Sequence, residues 1–283
     1  MTAQAAHLPR WLRAVLDWWP AGLLAILLVF AVLAPWLAPL DPDRQNLLAR
    51  LKGPGFEARG AVYWLGSDEL GRDVLSRVIY GARVSISVAF MSVILSGVVG
   101  VTVGMAAGYL RGWAETILMR LVDIFLSIPA ILLAIITVAV LGPGFINVIL
   151  VLALTRWPRY ARVAYGQTLA IAGRPYVTLA HAMGASAPRV LALHILPNII
   201  GPLLVVATLE FGLMVLFEAG LSFLGLGVQP PTASWGSMLS TGRNYVGSAW
   251  WIATFPGVAL FMLVLSANLI GDRLSDRIGK GHG

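Results

Sequence analysis

Three carboxylates stand inside or beside long apolar stretches of this 283-residue sequence: Asp123, Glu210 and Glu218. An acidic group in such surroundings is costly unless it faces other helices or water, so each is a candidate proton relay or ion site. For Glu218 a hydrogen bond to a neighbouring helix is the competing reading, and the residues alone leave both open. Other chemistries find no support. Cysteine is absent, which removes thiolate ligands, disulfides and cysteine nucleophiles. No G-x-x-x-x-G-K-[ST] stretch is present to cradle a nucleotide phosphate, and no H-E-x-x-H to hold zinc. His7, His181, His194 and His282 all fall outside the well-defined apolar runs, so no histidine is placed to activate a membrane serine.

A second candidate works by docking. The stretch YVTLAHAMGASAPRVLALHILPNIIGP, Tyr176 to Pro202, interrupts the apolar runs with a compact polar pattern. Small and apolar residues recur at helical spacing to Met183, and Gly184 suits a left-handed helix end. Pro188 suits the first turn of a second helix, where its missing N–H is not needed. Pro197 and Pro202 limit how far that helix can run unbent. Ala180, Ala182, Gly184 and Ala185 leave so little side chain that another surface can approach the backbone closely.

The elements that must hold these residues belong in a bilayer. The chain is 58% hydrophobic and 12% charged, with a mean hydropathy of +0.83, too apolar for a soluble surface of ordinary charge density. Its net charge of +7 does not point to nucleic acid, because the basic residues are scattered at the ends of apolar runs. Residues 1–20, with Arg10, Arg13, Asp17, Trp11, Trp18 and Trp19, read as an interfacial lead-in. Residues 21–40 read as a first span, since about 20 apolar residues suffice. A retained span is favoured over a cleaved signal peptide, because APWLAPLDP offers a poor cleavage site.

Residues 41–83 form the long polar stretch. Within it Leu70, Val74, Leu75, Val78 and Ile79 share one helical face. Asp68 with Arg72, and Asp73 with Arg77, stand at i,i+4 on the other, which predicts a solvated amphipathic helix at the membrane surface. Val84 to Leu110 is uncharged for 27 residues. Inside it Gly100, Gly104 and Gly108, in phase with Ser96, predict a close helix contact. Arg111 to Asp123 reads as a connector. Ile124 to Thr155, divided by Gly142-Pro143-Gly144, reads as two spans with Pro129 in the third. Arg156, Arg159 and Arg162 are expected to reach headgroups. A fifth span from about Leu203 to Leu224 carries Glu210 and Glu218, and Trp250 to Ile270 makes a sixth. The expectation is therefore an all-α polytopic membrane protein of about six transmembrane helices. Its core is 84–271, with the docking stretch in a loop at 165–200 and a tail at 272–283.

Basic residues in the short connections set the orientation. Arg10, Arg13, Arg111, Arg120, Arg174, Arg189, Arg273, Arg277 and Lys280, with the three arginines after Thr155, fall on one side, and Arg243 alone on the other. Both termini are then cytoplasmic. The long loop carries seven basic residues from Arg44 to Arg83, nearly balanced by its acids.

Several strings resemble one family, the inner-membrane permease subunits of binding-protein-dependent ABC importers. The family's coupling motif is E-A-A, three residues, Gly, nine residues, I-x-L-P. It is similar to Thr178-Leu179-Ala180, Gly184 and His194-Ile195-Leu196-Pro197, with Thr178 in place of Glu and His194 in place of Ile. HILPN, LGSDELGRDVLSRVIYGARVSI and EAGLSFLGLGVQPPTASWG look like the dipeptide and oligopeptide branch. The ending N-x-x-G-D-x-L-R-D is met by Asn268, Gly271, Asp272, Leu274 and Asp276, with Ser275 for Arg.

The resemblance, which covers about Val62 to Ile278, implies a type I ABC importer permease fold in the bacterial inner membrane. It implies half of a translocation path for peptides or similar solutes, nickel chelates and glutathione included. A second permease, two ATPase subunits and a periplasmic or lipid-anchored binding protein are the implied partners. ATP and Mg are used by the ATPases, and no cofactor is bound by this chain, which is not an enzyme. Tyr176, Thr178, Ala180, Ala182, Gly184, Ala185, Ser186, Pro188, Leu196 and Pro197 are the implied coupling residues. The rival class is an ion- or proton-coupled secondary transporter working through Glu210, Glu218 and Asp123, and a pure scaffold is the third.

Overall fold

In a bilayer every backbone N–H and C=O must find its partner within the protein, so uncharged apolar runs of this length form helices. The computed structural model describes residues 10–58 and 60–280, with side chains from Trp18 to Ile278. Met1–Pro9, including His7, Arg59 and Gly281–Gly283, including His282, lie outside the described residues. So do the side chains of Arg10, Trp11, Arg13 and Asp17.

Eleven α-helices are described. They are α1 (Arg10–Val32), α2 (Ala34–Leu37), α3 (Val74–Leu110), α4 (Gly112–Ser127), α5 (Ala130–Leu141) and α6 (Phe145–Ala172), followed by α7 (Pro175–Ala182), α8 (Ala187–Val190), α9 (Leu196–Phe223), α10 (Trp235–Gly242) and α11 (Trp251–Lys280). A small antiparallel hairpin, β1 (Phe56–Ala58) and β2 (Ala61–Tyr63), pairs Phe56 with Tyr63. Among the described residues three helical paths are long and apolar enough to cross a membrane: Val74–Leu110, Ala187–Phe223 and Trp251–Ile278. The bent pair α4 and α5 passes the same test jointly. With α1, whose apolar part is Trp18–Val32, and the 28-residue α6, this makes a polytopic helical membrane protein of about six spanning elements.

The chain divides into two units that are not consecutive in sequence: Met1–Ile86 with Pro230–Ile270, and Ser87–Gln229 with Gly271–Gly283. This differs from the linear division expected, in which residues 84–271 formed one core. The expected lead-in and first span are also merged, since α1 runs unbroken from Arg10 and stops at Val32.

In the first unit the expected amphipathic helix forms only from Val74 onward, where it is the start of α3. Residues 68–73 are loop, and Asp68, Arg72, Asp73 and Arg77 are all buried. Arg72 Nε donates to Asp68 at 2.6 Å, as the spacing suggested. Asp73 does not pair with Arg77. It accepts from the backbone N and the hydroxyl of Ser76, at 2.8 and 2.6 Å, and so caps α3. Arg77 turns instead to the carbonyl of Pro42 at 3.0 Å. Two distant tryptophans close the loop: Trp251 Nε1 donates to Ser67 O at 3.0 Å, and Trp235 Nε1 to Val78 O at 2.9 Å. A Cβ at Gly71, where φ is +71°, would lie 1.8 Å from Asn46 O, which leaves room for glycine alone.

In the second unit α6 packs against α4, α5 and α9. The expected third span is broken, with α4 and α5 meeting at 91°. Pro129 causes the break rather than sitting within a span: it pushes Ile128 to an extended φ/ψ of −90°/128° and itself caps α5. The connector Arg111 to Asp123 is thus mostly helix α4. α8 runs into α9 as one helical path through a π turn, Leu191–Ile195, just before Pro197. The wider turn accommodates a proline whose ring would clash with a regular α-helical carbonyl, so Pro197 does not end the helix.

Candidate coupling surface and intramembrane charge cluster

Pro175 occupies the first turn of α7 and Arg174 its extended N-cap. At the other end Gly184 N donates to His181 O at 2.9 Å and Ala185 N to Ala180 O at 3.1 Å, while Gly184 takes φ +87°. This is the paired closure of a helix by a left-handed residue, and it turns the chain into α8, where Pro188 sits in the first turn. Val177 and Val190 are buried against Ala164, Ile171, Ile195 and Ile199 and anchor the two short helices to α6 and α9.

Apart from Val177 and Ala180, α7 faces outward. Tyr176, Thr178, Leu179, Ala182 and Met183 are exposed, Leu179 by 62% and Met183 by 86%. Gly184, Ser186 and Pro188 are exposed as well, and a Cβ at Gly184 would meet nothing within 4 Å. Ala180, Ala185 and Leu196 are half-buried, and Pro197 is exposed on the following helix. The Thr178 hydroxyl donates to Arg174 O at 3.4 Å within its own helix. The result is an exposed, largely apolar ridge on two short pinned helices, where small residues and Gly184 stand among Tyr176, Leu179 and Met183.

The glycine strip lies along α6. A Cβ on Gly100 would stand 2.3 Å from Trp157 O, one on Gly104 2.3 Å from Ala161 O, and one on Gly108 2.9 Å from Thr168 Cβ. The two helix backbones therefore touch, which dispersion and weak polar contacts reward only when side chains are absent. Ser96, in phase with the strip, is buried and bonds back to Ser92 O at 2.7 Å.

The carboxylates are paired. Glu210, on α9, is 2% exposed and accepts from Arg159 Nη1 of α6 at 3.1 Å, with Arg156 Nη1 3.7 Å away. Arg156 is buried and its guanidinium lies 4.0 Å from the Phe217 ring centre, a cation–π contact. Arg162 meets Asp123 of α4, and the Tyr165 hydroxyl donates to Glu115. Arg159 and Arg162 thus meet carboxylates on neighbouring helices, Glu210 of α9 and Asp123 of α4, while about half of each arginine side chain stays exposed. Glu218 is fully buried and accepts from Ser222 Oγ at 2.8 Å. Pairing of Glu210 with α6 was missed in the sequence. Its signal was the coincidence of arginines and a carboxylate in apolar surroundings, where opposite charges seek each other. Among the described residues no group of three or more metal-ligating side chains gathers.

Helices of spanning length, a backbone-tight glycine contact, paired charges between helices and an exposed helix–turn–helix define a polytopic helical membrane protein. Residues 100–280 match the family described as binding-protein-dependent transport system inner membrane component, and residues 20–54 match the N-terminal TM domain of oligopeptide transport permease C. The chain is 44% identical over 260 residues to the di/tripeptide transport system permease protein DppC of Pseudomonas aeruginosa, covering 91% of this chain and 86% of that protein. It is 41% identical to the probable D,D-dipeptide transport system permease protein DdpC of Escherichia coli, over 93% of this chain and 87% of that one. Its fold is shared with a solved chain of the inward-facing MetNI methionine ABC transporter, at a TM-score of 0.58 and 23% identity, over 72% of this chain and 97% of the other. The chain belongs to the family of binding-protein-dependent transport system inner membrane components. It is the multi-pass permease subunit of an ABC importer, and that family's part in transport is transmembrane rather than catalytic.

Proposed function

We propose that this subunit forms half of a translocation path for short peptides and is driven by ATPases that grip the surface around Gly184. The relatives' names, which specify di/tripeptides and D,D-dipeptides, support the substrate class. A second, related permease completes the path, two ATPase subunits or domains use ATP and Mg, and a periplasmic or lipid-anchored binding protein delivers the solute. In this reading both termini and α7–α8 are cytoplasmic, in the bacterial inner membrane.

The observation that carries the reading is the exposure of α7 apart from Val177 and the half-buried Ala180, combined with its closure at Gly184. A ridge pinned to α6 and α9 transmits a push from below as rigid-body movement of those helices, which is one of the few ways packed cores respond to force. A proton-coupled carrier needs a carboxylate free to titrate, and Glu210 is held by two arginines, which argues against that rival. Purification from mild detergent tests the proposal: an ATPase and a second permease should co-purify. A chain that remains alone and transports in response to a proton gradient contradicts it.

A further inference from the structure

Charges around Glu210 do not balance. One carboxylate faces two guanidinium groups, Arg156 at 3.7 Å and Arg159 at 3.1 Å. Arg156 is enclosed, with a side chain 6% exposed and Phe217 across its face. Arg159 commits Nη1 to Glu210 yet leaves 56% of its side chain exposed. One turn along α6, Arg162 is neutralised by Asp123. Within this cluster the uncompensated positive charge therefore falls to the exposed guanidinium of Arg159.

Its position gives that charge a meaning. Arg159 stands midway along the 28-residue α6, and Glu210 midway along the 28-residue α9. At such depth a half-exposed guanidinium faces protein or water, since lipid would cost several kcal/mol on the order of insertion scales. A guanidinium has five N–H donors in a planar fork. Most of that fork remains for an incoming group, and a carboxylate fits it bidentately. Glu210 fixes the orientation of the fork and tempers its charge, so an anion can bind and leave.

We infer that Arg159 lines the translocation path and receives the carboxylate end of the solute in passage. The inference rests on the substrate class proposed above, because a short peptide carries a free carboxylate at neutral pH. An acidic side chain of the second permease is the competing partner, and it would make Arg159 indifferent to the chemistry of the solute.

The test compares uptake of dialanine and of its C-terminal amide by the complete importer in proteoliposomes, each at a concentration that saturates the binding protein. Wild type should favour the free acid. Arg159→Gln should cut acid uptake about tenfold, the scale of one lost charge-assisted contact, and leave amide uptake within about twofold, so that the preference vanishes. Arg159→Lys, which keeps the charge but not the fork, should fall between. Equal loss of both substrates in Arg159→Gln, with the preference intact, overturns the assignment and leaves the substrate class standing. Failure of wild type to take up either peptide overturns the substrate class and the assignment with it.

Discussion

Gly100 of α3 and Trp157 of α6 meet backbone to backbone, with only 2.3 Å between a Cβ built on the glycine and the tryptophan carbonyl. The neighbour is main chain and cannot swing away. Gly100→Val should therefore separate the helices and cost more than the about 1–3 kcal/mol typical of an overpacked core. Gly97→Ala is the control, because its Cβ would lie 3.7 Å from Tyr160, an ordinary contact. The yield of assembled complex on size-exclusion chromatography should collapse for the first and hold for the second. Equal yields contradict the helix contact.

Glu210 should be structural. Glu210→Ala leaves Arg156 buried without its partner, which costs about 3–5 kcal/mol for a broken buried pair. Removing the stranded charge should repair part of the loss, so Glu210→Gln with Arg156→Gln should be more heat-stable in detergent than Glu210→Gln alone. Additive losses in that cycle would show that the two do not interact.

Asp73 has opposing duties. It caps α3, yet burial pushes its carboxyl above the ordinary aspartate value. The folded state then holds a proton more tightly than the unfolded state does, so the destabilisation from this group is absent below the ordinary aspartate range and grows as pH rises through the raised value. Asp73→Asn keeps the acceptor and loses the buried charge. Its apparent unfolding midpoint relative to wild type should therefore improve from about pH 4 to about pH 8, whereas Asp73→Ala should lose the cap, about 0.5–2 kcal/mol. A gap between wild type and Asn that is constant with pH contradicts this assignment.

Topology can be read by single cysteines, since the sequence has none of its own. Ser186→Cys should react with a membrane-impermeant maleimide only from the cytoplasmic side. Ser67 is fully buried, so the outer probe is the exposed Glu57, as Glu57→Cys. Labelling of both from the same side contradicts the orientation.

Much of the fold was legible because its causes are local. An uncharged run of 27 residues spans whatever its neighbours are, and glycines every fourth residue leave a groove that only a helix fills. Gly184 was legible for the same reason, since small residues followed by glycine and then proline specify a helix end and a new start. Long-range partners were not. The spacing of Asp68, Arg72, Asp73 and Arg77 suits a solvated helix equally well, and it is the chain from Pro42 to Leu51, with Trp251 and Trp235 far along the sequence, that covers this segment. The ion pairs of the α6 arginines were not legible, because their carboxylates lie on other helices. Pro129 was seen, but whether a proline bends a span or breaks it depends on packing around it.

The central claim is mechanical coupling through Gly184, and the most direct measurement is ATP hydrolysis alongside solute uptake in Gly184→Asp. At φ +87° a side chain adds about 1–2 kcal/mol of backbone strain, and a carboxylate would put a charge on the exposed, largely apolar ridge that carries Leu179 and Met183. Insertion and pairing with the second permease should be normal, while uptake falls to background and the ATPases either dissociate or hydrolyse ATP without transport. Gly184→Ala should be milder. Full uptake by the Asp variant, at normal expression and with ATPases bound, would contradict the account.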